Sequence, residues 1–262
     1  MKQDDVDFFK KWFSGYCRSF YSFNAEDQKN ILLKKHHTFR VCKNIIDISS
    51  GLSLDSEETL LAETIALFHD IGRFPQYAKY GTFRDGISVN HGLLGARTLC
   101  EKGILRNLSA TEQEVIIQSV MFHNAFSVPR KKSGDIIFFI KLIRDADKLD
   151  IWRVFMDYYE SPDEQKASAV GLGLPDAPGY SEPVLSAVYE KRIVSLSEIK
   201  TLNDFKLLQL SWIFDLNFKP SYELLSERRY IDKIVAHLPR TEAMRDLSLF
   251  LKEFVKAKIF SL

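Results

Sequence analysis

Apolar positions recur along this chain at intervals of three and four residues, the spacing of helices that bury one face. No run of strict apolar–polar alternation is long enough to predict a strand, so the fold class expected is all-α. Residues 5–24, rich in Phe and Tyr, form a first amphipathic helix whose aromatics pack on the core. Glu26–Ser50 forms a second, with a stripe of Leu33, His37, Val41, Ile45 and Ile48. A third opens with the capping box Asp55–Glu58 and runs through Leu60, Leu61, Ala62, Ile65, Ala66, Leu67 and Phe68 to His69 and Asp70. Gly72 and then Pro75 read as its stop. Residues 74–89 carry little helical pattern and read as a long loop of aromatic and basic residues, either a lid over an anionic, ring-bearing ligand or a solvated connection. A short helix starts near Asn90, another spans Thr111–Asn124 behind a Thr111–Glu114 box, and a long one covers Ile136–Tyr159. Residues 127–134 make a basic turn and 161–180 a Pro- and Gly-rich loop. Residues 181–262 read as three or four more amphipathic helices, broken near Lys219-Pro220 and His237-Leu238-Pro239. The organisation expected is a single all-α domain over 1–262, with a core at about 28–158 and a C-terminal helical extension at about 181–262.

Polar residues on these buried faces change the picture. An imidazole or carboxylate on an apolar stripe is costly to bury without a partner. Five of the six histidines fall between residues 36 and 123. His37 shares the inward stripe of its helix, whereas His36 lies towards Arg40, Lys43 and Asp47 on the wetter side. His69 follows Ile65 by one turn, and His123 continues the Ile116–Val120 stripe. His91 opens its own helix, and Asp147 lies on the face of Ile140, Ile143, Ile151 and Val154. Asp145 lies nearer Lys141 and Lys148, as a supporting or surface residue. Several helices aiming one His or Asp each at a common interior is how helical bundles build metal centres. Two imidazoles and two carboxylates suit one divalent transition metal, and two further imidazoles complete a second site sharing a bridging carboxylate.

Composition narrows the class further. Charged residues at 27% and hydrophobic residues at 45% are ordinary for a globular protein. A net charge of +1 argues against general nucleic-acid binding. No apolar run approaches the roughly 20 residues of a membrane span, and none follows the N-terminus that could act as a signal peptide, so a cytoplasmic protein is expected. Cys17, Cys42 and Cys100 are odd in number, widely spaced and set in apolar stretches, which predicts reduced core thiols. Gly171-Leu172-Gly173-Leu174-Pro175 has no strand before it and no third glycine, and is discounted as a nucleotide loop.

Five pieces in order carry a resemblance: His37-Thr38-Phe39-Arg40-Val41, Phe68-His69-Asp70-Ile71-Gly72, His91-Gly92 with Gly95-Ala96, His123, and Ala146-Asp147-Lys148-Leu149-Asp150. Over roughly residues 30–155 the chain resembles the HD-domain metal-dependent phosphohydrolase superfamily. The resemblance implies an HD-domain helical bundle in which His37, His69, Asp70 and Asp147 bind a first metal. In two-metal members, residues matching His91 and His123 hold a second, with Asp70 as bridge. The cofactor implied is one or two divalent ions (Mn, Fe, Ni, Co, Zn or Mg). One departure is Asn124, where some two-metal relatives have a second histidine, which implies a second site that is either weaker or filled only when substrate binds. Arg73 and Lys148 stand where the family usually carries basic residues and are the expected contacts to substrate phosphate. The activity implied is hydrolysis of a phosphate ester or anhydride in a nucleotide or small phosphorylated metabolite, with Asp70, Arg73 and Lys148 as catalytic residues. Two alternatives share the fold: a di-iron oxygenase, since some relatives with the same ligand types cleave C–C or C–P bonds with dioxygen, and a non-catalytic nucleotide sensor.

Overall fold

The computed structural model describes residues 1–129, 131–162, 167–168, 170 and 173–261. Arg130 of the expected basic turn and Gly171-Leu172 of the discounted glycine stretch lie outside them. Among the described residues there are helices and turns but no strand, an all-α fold. Two compact units divide the chain: Met1–Asp150 with Ala167–Ala169, and Ile151–Lys166 with Val170–Leu262.

In the first unit, α1 (Gln3–Arg18) stops short of the expected residue 24. The chain must leave the helix early because Asn24 caps the next one, accepting from Glu26 N at 2.9 Å and Asp27 N at 3.0 Å. Phe9 and Phe13 of α1 are buried, and Phe9 meets Phe68 edge-on with ring centroids 5.5 Å apart. α2 (Ala25–Gly51) buries Ile31, His37, Val41, Ile45 and Ile48 along one stripe. α3 (Ser56–Phe68) begins at the expected Asp55–Glu58 box, with both reciprocal bonds made at 2.8 and 3.0 Å.

The loop expected at 74–89 is half helix. α4 (Arg73–Tyr80) follows α3 after a turn of four residues and buries Phe74, Gln76 and Tyr77. Pro75 starts this helix rather than stopping the last one, because a first-turn residue needs no backbone N–H donor. Gly81, at φ 63°, ends it, and a short 3₁₀ turn at Asp85–Ile87 follows.

α5 (His91–Lys102) is capped by Asn90, and α6 (Ala110–Phe122) by Ser109. The box on α6 is Ser109–Glu112, not Thr111–Glu114. Glu112 satisfies both Ser109 N and its hydroxyl, and its other oxygen pairs with the N-terminal ammonium at 2.6 Å. α7 (Gly134–Glu160) belongs to the first unit up to Asp150. Asp145 on it is fully buried rather than at the surface. Cys17 and Cys42 are buried, but Cys100 is exposed, since it lies on the outer face of α5.

The second unit continues α7 and adds α8 (Glu182–Tyr189), α9 (Leu202–Ser211), α10 (Lys219–Glu227), α11 (Tyr230–Ala236) and α12 (Glu242–Ser261). That exceeds the three or four helices expected, because α8, α10 and α11 are each under ten residues and show too few turns to establish a period. Pro220 sits in the first turn of α10 and starts it. Trp152, Leu207, Leu210, Tyr222 and Leu247 form its core. No helix among the described residues is long and apolar enough to cross a membrane.

Candidate metal centre

Five helix segments of the first unit converge on one polar interior. His37 comes from the middle of α2, His69 and Asp70 from the turn that ends α3, His91 from the first residue of α5, His123 from the residue ending α6, and Asp147 and Asp150 from α7. Two glycines allow the closest approach. A Cβ on Gly72 would lie 2.2 Å from His91 O and 2.6 Å from Gly95 N, so only glycine lets the turn after Asp70 press against α5. Gly95 in turn accepts Val120 of α6 at close range.

The ligating atoms form two groups that share Asp70. In the first, His37 Nε2 lies 3.3 Å from His69 Nε2, 3.0 Å from Asp147 Oδ1 and 3.6 Å from Asp70 Oδ2. His69 Nε2 lies 3.7 Å from both Asp70 Oδ2 and Asp147 Oδ1. In the second, His91 Nε2 lies 3.0 Å from His123 Nε2 and 3.3 Å from Asp70 Oδ1, and His123 Nε2 lies 3.8 Å from the same oxygen. Ligand atoms held about 2.1 Å from one cation at 90–110° lie about 3.0–3.4 Å apart, close to what is observed. His37, His69, Asp70 and Asp70, His91, His123 are groups whose atoms lie within range of a common ion.

The far side of each imidazole decides what this convergence means. His69 Nδ1 meets Ala66 O and His123 Nδ1 meets Val120 O, both at 2.7 Å. A carbonyl only accepts, so each Nδ1 carries the proton and each Nε2 presents a lone pair. His91 Nδ1 donates in the same way to Asp85 Oδ2, and His37 Nδ1 to Asp150 Oδ2, again at 2.7 Å. Thus His91 Nε2, His123 Nε2 and Asp70 Oδ1 are three buried acceptors facing one another with no proton of their own to share. Buried acceptors in that arrangement are costly unless a cation lies among them, and the donor set of imidazole and carboxylate suits a divalent transition metal.

Electrostatics favours the ligating forms. Burial alone would raise the Asp70 carboxyl, but Lys34, His69, Arg73 and His91 outweigh it and hold the group well below the usual carboxylate range. Burial drives His123 down to about 3, with His91 and His69 adding to the effect, so its imidazole is neutral. His91 is lowered by burial and by Arg73. His37 is the exception. Burial and Lys34 oppose its charge, yet hydrogen bonds to Asp147 and Asp150 raise it above its ordinary value.

Four residues at the site lie outside the sequence expectation. Lys34, one turn before His37 on α2, places Nζ 2.7 Å from Asp70 Oδ2. Asp150 receives Arg40 through two nitrogens, at 2.6 and 2.9 Å, while orienting His37. Asp85 accepts from Arg73 Nη1, Gln76 Nε2 and Asn124 Nδ2, each at 2.9 Å, besides His91. Gln76 fastens the same segment through Ser88 and Val89. The sequence signal for Lys34 is its helical spacing from His37; Asp150 stands in the motif around Asp147 without an assigned role, and Asp85 has no signal.

Among the expected residues, His36 is exposed, as its face predicts. Asn124 places Nδ2 2.9 Å from Asp85 Oδ2 and 3.2 Å from His91 Nδ1, on the far side of that ring from the converging Nε2 atoms. Lys148 is half-buried beside Asp147 on α7. Arg73 directs Nε at Asp70 Oδ1, 3.4 Å away, and Nη1 at Asp85, Gln76 and Phe83 O, so that edge of its guanidinium is engaged within the protein. Asp147, 19% exposed at its side chain, is the residue of this cluster that meets solvent, whereas Asp70 and the four histidines are at most 4% exposed.

Residues 35–152 match the family model described as HD domain. No curated protein and no solved structure matches the chain.

Proposed function

We propose, from the match of residues 35–152 to the HD domain model, that this chain is a metal-dependent phosphohydrolase acting on a nucleotide or other small phosphorylated metabolite. In this reading His37, His69, Asp70 and Asp147 hold one divalent cation, and Asp70, His91 and His123 hold a second. The observation that carries it is the convergence of His91 Nε2, His123 Nε2 and Asp70 Oδ1 as buried acceptors, none of which carries a proton to share with the others. A bound divalent ion lowers the pKa of water towards neutrality and neutralises phosphate charge.

The chain's own residues set up the rest. The backbone carbonyls of Ala66 and Val120 and the carboxylates of Asp85 and Asp150 keep four Nδ1 atoms protonated, so four Nε2 atoms remain donors to metal. Asp70 offers one oxygen to each group and is the most sensitive residue. Asp147, at the solvent edge, stands where substrate enters, and Lys148 beside it supplies a point charge for phosphate. Arg73 holds Asp70 and Asp85 in place.

The test is phosphate release from nucleotides and an aryl phosphate, with manganese, iron, nickel, cobalt, zinc or magnesium supplied in turn. Release with at least one metal, lost in Asp70→Ala, is expected. No release with any metal, together with substrate-dependent oxygen uptake by the iron form, would replace hydrolysis with oxygenation.

A further inference from the structure

Both oxygens of Asp70 already face a fixed cation. Lys34 Nζ lies 2.7 Å from Oδ2, on the side of His37 and His69, and Arg73 Nε lies 3.4 Å from Oδ1, on the side of His91 and His123. The same two oxygens are those that metals would take in the proposed function, on which this inference rests. A carboxylate oxygen cannot keep a 2.7 Å ammonium contact and also coordinate a divalent ion without bringing two cations into close repulsion.

The two counter-ions differ in what they can do next. Arg73 is anchored through Nη1 to Asp85, Gln76 and Phe83 O. Lys34 rides on a flexible four-carbon stem, with Asp70 as its polar contact and the Phe83 ring 5.5 Å from Nζ. Its side chain is 17% exposed, so the ammonium sits at the boundary between the buried cluster and solvent. It also stands three residues before His37 on α2, which keeps any swing of its head group within reach of the site.

We infer that Lys34 is an exchangeable counter-ion: it neutralises Asp70 Oδ2 until a divalent cation claims that oxygen, and then contacts the anionic group of the substrate. Lys34 thus lowers affinity for the first metal and raises affinity for a phosphate-bearing ligand on the loaded protein. The anion most directly served is a phosphoryl oxygen, to which an ammonium gives a charge-assisted hydrogen bond.

Lys34→Gln and Lys34→Arg separate these effects. Manganese is titrated into each metal-free full-length protein by calorimetry, and inorganic phosphate is then titrated into the manganese-loaded forms. Lys34→Gln is expected to bind the first manganese about tenfold tighter and phosphate about tenfold more weakly than wild type. Lys34→Arg keeps the charge and is expected to stay near wild type in both. Unchanged or weaker manganese binding by Lys34→Gln overturns the counter-ion role. Unchanged phosphate binding overturns the anion contact and leaves the hydrolase reading standing. If loaded wild type itself binds no phosphate, the anion contact and the hydrolase reading fall together, while the manganese titration still decides the counter-ion role. Equal changes in the Gln and Arg variants overturn both roles, because they trace the effect to shape and not charge.

Discussion

Removing Asp85 tests whether the second group of ligands depends on its orienting carboxylate. Asp85 holds His91 Nδ1 at 2.7 Å and collects Arg73, Gln76 and Asn124 at 2.9 Å each. In Asp85→Ala the His91 ring loses the acceptor that fixes its tautomer, and its proton is free to move to Nε2, the atom needed as a lone pair. Loss of such a partner lowers metal affinity about 10–100-fold, or about 1.4–2.7 kcal/mol. The stability cost is smaller than the count of lost bonds suggests. Asp85 is 30% exposed at its side chain, so water reaches some of the abandoned donors, and about 1–2 kcal/mol of destabilisation is expected. Asp85→Asn keeps an acceptor for His91 but loses charge, and should fall between wild type and the alanine variant. Calorimetric titration with manganese, read as two sites, should show the weaker site moving while the site built on His37 and His69 shifts less than about threefold, because Asp150 and Ala66 orient that pair. Equal weakening of both sites in a protein that still melts cooperatively would refute the reasoning. So would an unchanged second site.

Further predictions address the facing of the helices, the metal's share of stability and a titrating cap. His37→Ala should cut metal content and phosphate release together, whereas exposed His36→Ala should leave metal content, measured by elemental analysis, within experimental scatter. A chelator should lower the melting temperature of the loaded protein. An ion present at a hundred times its dissociation constant stabilises the native state by about 2.7 kcal/mol, and an unchanged melting curve with the metal verifiably removed would contradict this. Asp204 in the second unit accepts from Ser181 N, Ser181 Oγ, Lys200 N and Thr201 N at 2.6–3.2 Å. Burial opposes its charge, but these bonds lower its carboxyl below the ordinary value. Its contribution to stability is therefore complete above the unfolded value of about 3.9 and is lost as pH falls through the folded value. The melting difference between wild type and Asp204→Asn should shrink as pH drops from about 6 towards 3, and a constant difference would assign the effect to shape.

Much of the first unit was legible because helical periodicity and capping are local. Asp55 with Glu58 announced the start of α3, and the spacing of His37 from Val41 and Ile45 separated it from His36 one residue away. Where local signals compete, spacing along the chain does not choose between them. Ser109–Glu112 and Thr111–Glu114 are equally good boxes in sequence, and only the completed fold, with the N-terminal ammonium on Glu112, distinguishes them. α4 was hidden because eight residues offer few repeats and Pro75 reads as a stop until a preceding turn places it at a helix start.

What the sequence determined by itself was therefore the all-helical class and the inward direction of the histidines, both consequences of spacing within one helix. The tertiary structure decided which groups stand behind them. Asp150 meets His37 across 113 residues, Lys34 meets Asp70 across 36, and Asp85 reaches His91 from a turn with no regular period. Such pairings depend on how separate helices pack, and Gly72 pressed against the start of α5 is one example, so no spacing along the chain encodes them.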